Sequence, residues 1–111
     1  MLESSADRRF ASIARALSRE EGVTLGSGRR GFGSGALQVD GRIFAMVTGG
    51  GLVLKLPQDR VAELLANGDG LPFDAGKGRP MKEWVELRPA TDRRALSLAR
   101  EALAFVGCRR P

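Results

Sequence analysis

The residues from Gly26 to Gly31 read Gly-Ser-Gly-Arg-Arg-Gly, the glycine spacing of a dinucleotide-binding loop. Such a loop works because a strand leads into it and a helix leaves it, with the helix N-terminus holding the pyrophosphate. Here a helical pattern precedes the glycines and a strand pattern follows, so the spacing is a coincidence of a glycine-rich loop. Gly76-Lys77 lacks both the upstream glycine and the following Ser or Thr of a phosphate-binding lysine loop. The carboxylates offer no general acid–base pair, since Glu83 and Glu86 stand three apart in a strand pattern and point to opposite faces. Asp69 and Asp74 have the chemistry of cation ligands, but they sit among glycines and prolines where Asp ordinarily makes turns. The sequence has no histidine and no tyrosine, which removes Ser–His–Asp and Cys–His pairs and every histidine-bearing zinc site. The expectation is a chain with no catalytic residue, no metal and no cofactor.

Arginine is the other residue with chemistry to offer. The net charge is +5 and the pI about 10.6, which raises nucleic acid as a partner. Charges nearly cancel from Ala36 to Leu87, and the excess lies toward the two ends. If the first and last helices pack side by side, Arg8, Arg15, Arg93, Arg94 and Arg100 would form one basic surface for nucleic-acid contact. The competing reading is a solvated basic surface without a ligand. No helix-turn-helix, zinc-finger or RNP-like pattern accompanies these arginines.

The elements that must position these residues can be read from periodicity. Ser4 to Glu21 is an amphipathic helix in which Phe10, Ile13, Ala14 and Leu17 fall at i, i+3, i+4 and i+7. Gly22 stops it. Gly26 to Gly35 reads as a loop leading to a first strand around Phe32. The period then changes to two, with Ala36–Val39 and Arg42–Val47 flanking the hairpin turn Asp40-Gly41. A second turn at Gly49–Gly51 leads to Leu52–Leu56, where Leu54 and Leu56 face the core and Lys55 faces solvent. Pro57 begins a short helix with Val61, Leu64 and Leu65 on its apolar side, ended by Asn67-Gly68. Met81–Leu87 is a further strand, paired with a piece near Leu71–Asp74. Thr91 or Asp92 caps a last helix reaching about Val106, with Leu96, Ala99, Leu103 and Val106 as its stripe.

The order α-β-β-β-α-(β)-β-α has sequential hairpins and no βαβ alternation. It describes an α+β fold of two layers: an antiparallel sheet, made of a three-strand meander and one or two further strands, covered by helices. At 111 residues the whole chain, 1–111, forms a single domain with loose ends at about 1–4 and 108–111. The lone cysteine, Cys108, fits a reducing compartment. No apolar run approaches a membrane span, and Met1–Arg9 has no apolar signal core, so the expected location is cytoplasmic, away from membranes.

Three stretches carry more specificity than their composition. The first, Gly35 to Val47, reads G-A-L-Q-V-D-G-R-I-F-A-M-V, and the second is the leucine-rich strand Leu52–Leu56. The third is Pro72-Phe73-Asp74 followed by Gly78-Arg79-Pro80-Met81-Lys82 and Trp84-Val85. Together they resemble the TfoX N-terminal domain family from about Gly31 to Val106, with Gly31-Phe32-Gly33-Ser34 standing in place of that family's opening Met-Phe-Gly-Gly. The resemblance implies an antiparallel sheet backed by helices, similar to secretion-chaperone-like folds. It implies a stand-alone N-terminal-type domain without the C-terminal domain of full-length competence regulators, and no established enzymatic activity.

The implied role is a non-enzymatic regulatory or protein-interaction module whose partner is another protein or a second copy of the chain. Arg79, Lys82 and Trp84 are the candidate interaction residues. The planar fork of Arg79 suits a backbone carbonyl or a carboxylate within the fold, and alternatively a small anionic ligand. Nucleic-acid binding through the terminal arginines is the remaining alternative.

Overall fold

The computed structural model describes residues 5–26, 36–48, 51–73, 82–88 and 91–107. Among these, six strands form one antiparallel sheet in the order β1-β2-β3-β4-β6-β5. The strands are β1 (Val23–Gly26), β2 (Ala36–Val39), β3 (Arg42–Thr48), β4 (Gly51–Lys55), β5 (Gly70–Pro72) and β6 (Trp84–Leu87). The helices are α1 (Ser5–Leu17), α2 (Gln58–Ala66) and α3 (Asp92–Gly107). The architecture is α+β, with all three helices contributing to one core on one face of the sheet.

Phe10, Ile13, Ala14 and Leu17 are all buried, so the 3.6-residue stripe is what holds α1 to the sheet. The helix stops at Leu17 rather than Glu21. Residues 18–22 wind through turns instead, with Ser18 N–H donating to the Ala14 carbonyl and Glu20 N–H to the Leu17 carbonyl. Gly22 closes the segment at φ +83°. The strand that follows, β1, pairs Val23 with Val39 and Leu25 with Leu37, which extends the meander to four strands. Phe32, Ser4 and Asp74 lie outside the described residues, as do the chain ends.

The Asp40-Gly41 reversal is present, with both residues at positive φ (53° and 83°), as a two-residue hairpin turn requires. β2 and β3 slip in register between Leu37 and Gln38, and Phe44 and Ala45 are both completely buried there. This bulge lets two successive β3 residues serve the helix-side core. Leu52, Leu54 and Leu56 of the β4 segment join that core, as do Val61, Leu64 and Val85. Each such side chain contributes roughly 1.5–3 kcal/mol by leaving water. Val53 is also fully buried, but the register pairs it with Met46 and Glu86 on the face away from the helices.

Pro57 is the residue before α2 rather than inside it, and Asn67-Gly68 ends that helix with Gly68 at φ +80°. Thr91 is the cap of α3, its Oγ1 accepting a hydrogen bond from Arg94 N–H at 3.1 Å. β6 begins at Trp84, with Lys82 and Glu83 in a turn, so the alternation read from Met81 onward starts later than its sequence pattern suggests. Leu103 is half-buried against the core and Leu17 is fully buried.

Candidate functional site

Along one side of α2, Gln58, Val61, Ala62 and Leu65 recur at i, i+3, i+4 and i+7. They do not all press into the core. Val61 does, Leu65 is half-buried and Ala62 is exposed, so the stripe forms one wall of an open groove. The opposite wall is Pro72 of β5 with Lys82 of the turn before β6 and Trp84, the first residue of β6. Two of the three candidate interaction residues, Lys82 and Trp84, therefore come together at one place, while Arg79 lies outside the described residues.

The groove holds about 200 Å³. Sites for drug-sized ligands and cofactors ordinarily measure about 300–1,000 Å³. Its size suits one or two side chains of a partner better than a whole metabolite. Its walls are apolar apart from Gln58 and Lys82.

Trp84 is held by its neighbours. Phe73 lies with its ring centroid 6.4 Å away at 53°. On the strand beside it, Lys55 is register partner to Trp84 and places its ammonium 5.4 Å from the indole centroid. The same ammonium is 4.0 Å from the Glu83 carboxylate, so Lys55 is half-buried over the indole rather than simply solvated. Lys55 and Glu83 thus engage each other, and exposed Lys82 is the cation at the rim.

The arginines divide into two classes. α1 and α3 pack together and run parallel, because Arg9 Nε meets Asp92 Oδ1 at 3.1 Å near their starts and Arg100 Nη1 meets Glu20 Oε2 at 3.5 Å further along. Arg94 Nη2 lies 3.6 Å from Asp69 Oδ2, which also gives that aspartate a cationic partner within the chain. Arg60 reaches from α2 to α3 with Nε and Nη2 on the two oxygens of Glu101, at 2.9 and 3.2 Å, and Nη1 on Glu63 at 2.7 Å. The hydrogen bonds to Glu101 and then Glu63 raise the Arg60 pKa further above its ordinary value, against a smaller opposing effect of burial. Arg8, Arg15 and Arg93 are exposed, and among the described residues their guanidinium groups have no ion-pair partner. Of the five predicted nucleic-acid contacts, then, three have no ion-pair partner among the described residues and two are tied to carboxylates.

Among the described residues no three of His, Cys, Asp or Glu gather closely enough to hold a metal ion, and no helix is long and apolar enough to cross a membrane. Residues 21–106, from just before β1 through nearly all of α3, match the TfoX N-terminal domain. The chain belongs to the TfoX N-terminal domain family. No curated protein and no solved structure matches it. The family stretch takes in β1 as well as the Gly35–Val47 hairpin and the β6 region. It leaves out α1, which nevertheless buries Phe10, Ile13 and Leu17 in the same core as the TfoX N-terminal elements.

The contribution of α2 to the groove is not evident from the sequence. The signal is present in Gln58, Val61, Ala62 and Leu65, but the neighbouring stripe through Val61 and Leu64 is more apolar and reads as the whole buried face.

Proposed function

We propose that this TfoX N-terminal domain is a non-enzymatic protein-interaction module that docks its partner in the groove between α2 and Trp84. The supporting observation is the convergence of Leu65, Pro72 and half-buried Trp84 around a space sized for side chains, with exposed Lys82 at its rim. The partner segment that fits is apolar with a neighbouring carboxylate. An aliphatic or aromatic side chain enters between Leu65 and Trp84, and the carboxylate meets Lys82. Another protein or a second copy of the chain can supply such a segment.

The test is photo-cross-linking from position 62. Benzoylphenylalanine in place of Ala62, on the open wall, is expected to form protein adducts in the producing cell. The same group in place of exposed Ala104 on α3 is expected to form none. Light scattering on the purified chain separates a self-adduct from a foreign partner. No adduct from position 62, or equal labelling from both positions, overturns the reading.

A further inference from the structure

The carboxylates of this chain are not spread evenly among its arginines. Four of them lie at the seams between elements, where Asp92, Glu20, Asp69 and Glu101 neutralise Arg9, Arg100, Arg94 and Arg60. Among the described residues, the outermost ridge of α1 receives none. With Phe10, Ile13 and Leu17 facing the core, a 3.6-residue period puts Arg8 and Arg15 on the opposite side, about 10 Å apart along the axis. Arg19, in the turn just beyond the helix end, is exposed as well. Exposed Arg93 stands on the neighbouring parallel helix, whose axis lies about 8–10 Å away in ordinary helix packing.

This placement works against stability. Arg93 occupies the first turn of α3, where the helix dipole favours a carboxylate. Arg8 and Arg15 add like charge along one ridge. A position that breaks a local rule without a compensating contact is where function is expected. The ridge residues Arg8, Arg15 and Arg19 also precede residues 21–106, the stretch that matches the family.

We infer that the α1–α3 face binds the phosphate backbone of double-stranded nucleic acid without reading its sequence. Guanidinium groups pair bidentately with phosphate oxygens, and Arg8, Arg15 and Arg19 together with Arg93 of the neighbouring helix offer four of them. Small residues, Ala11 and Ser12 on α1 and Ser97 and Ala104 on α3, separate the arginines and leave room for a close approach. Among the described residues the face carries no exposed aromatic on which an unpaired base would stack, which favours duplex over single strand. Its contacts are charges meeting phosphates rather than groups aimed at base edges, so affinity does not depend on sequence. This site is independent of the α2 groove.

The experiment is fluorescence anisotropy of a labelled 20-base-pair duplex, titrated with the full chain between about 50 and 200 mM salt. Four arginines each neutralising one phosphate give a log–log salt slope of about −3.6, or roughly a hundredfold weakening over that range. Two variants with the same loss of charge decide the location. Arg15→Ala with Arg93→Ala is expected to flatten the slope by about two units. Arg42→Ala with Lys82→Ala, exposed cations outside this face, is expected to leave it nearly unchanged. Equal losses in both variants reduce the effect to net charge and overturn the site. No binding at the lowest salt, tighter binding to single strands, or equal competition by polyglutamate of the same charge also overturns it.

Discussion

The backbone N–H of Asp40 donates to the Gly22 carbonyl at 3.0 Å, tying the hairpin turn to the residue that closes the α1 segment. The Asp40 carboxylate also crowds Gly22, with Oδ1 only 2.9 Å from where a Cβ would stand. Gly22 needs its lack of a side chain twice over, for φ +83° and for this contact. Gly41 and Gly68 share the positive φ, but a Cβ at either would have nothing within 4 Å. Replacing either with Ala is expected to cost about 1–2 kcal/mol, the backbone penalty alone. Gly22→Ala is expected to cost more than either, read as the urea midpoint at constant m. Equal midpoints for the three variants would show that the Asp40 contact relaxes freely.

A second glycine pair separates stiff from flexible neighbours. At Gly70 an added Cβ would lie 2.5 Å from Val85 Cγ2, and Val85 is fully buried in the core. At Gly51 it would meet the Glu86 carboxylate end at the same 2.5 Å, but that side chain can swing toward solvent. Gly70→Ala is therefore expected to destabilise by about 1–3 kcal/mol, the usual cost of overpacking. Gly51→Ala is expected to cost less than about 1 kcal/mol, since only a flexible side chain has to move. Thermal melts of the two variants check the order, and a reversed order contradicts it.

Trp84 is the only tryptophan of the chain and tyrosine is absent, so intrinsic emission reports the groove directly. Lys55→Met removes the ammonium 5.4 Å from the indole while keeping most of the stem that covers it. The expected outcome is a shifted Trp84 emission with a stability change of no more than about 1 kcal/mol, the scale of such a cation–π contact. An unchanged spectrum would mean that the ammonium does not sit over the ring in solution.

The layout of the helix-side core was legible because burial there follows period. Phe10, Ile13 and Leu17 at helical spacing, and Leu52, Leu54 and Leu56 at strand spacing, are all buried together. The Asp40-Gly41 turn was legible because few residue pairs tolerate two successive positive φ values. β1 was not. Val23-Thr24-Leu25-Gly26 is four residues long and its alternation is too short to stand out beside a glycine-rich stretch. Its strand character comes from pairing with β2, a non-local contact that a local pattern does not carry. Half of the candidate site was legible for the same reason. Lys82 and Trp84 are close in sequence, whereas the α2 wall opposite them arrives through tertiary packing. The division of arginines into paired and unpaired classes likewise depends on which carboxylates the fold brings near, as with Arg100 and Glu20 from opposite ends of the chain.

The contact most open to a quantitative test joins α2 to α3. Arg60 holds both oxygens of Glu101 in a planar fork and donates a further bond to Glu63 on its own helix. A lysine carries the same charge but cannot reproduce the two parallel bonds. Both carboxylates are substantially exposed, so screening limits the gain. A double-mutant cycle between Arg60→Lys and Glu101→Gln is expected to give a coupling of about 0.5–1 kcal/mol. The raised Arg60 pKa contributes stability that is complete below the ordinary guanidinium range and is lost only as pH rises through the still higher folded value. Between pH 6 and 9, roughly, the guanidinium stays charged in both states, so the coupling is expected to be flat with pH there and to fall as salt is added. A coupling that varied across that range would mean that a group other than Arg60 controls the α2–α3 seam.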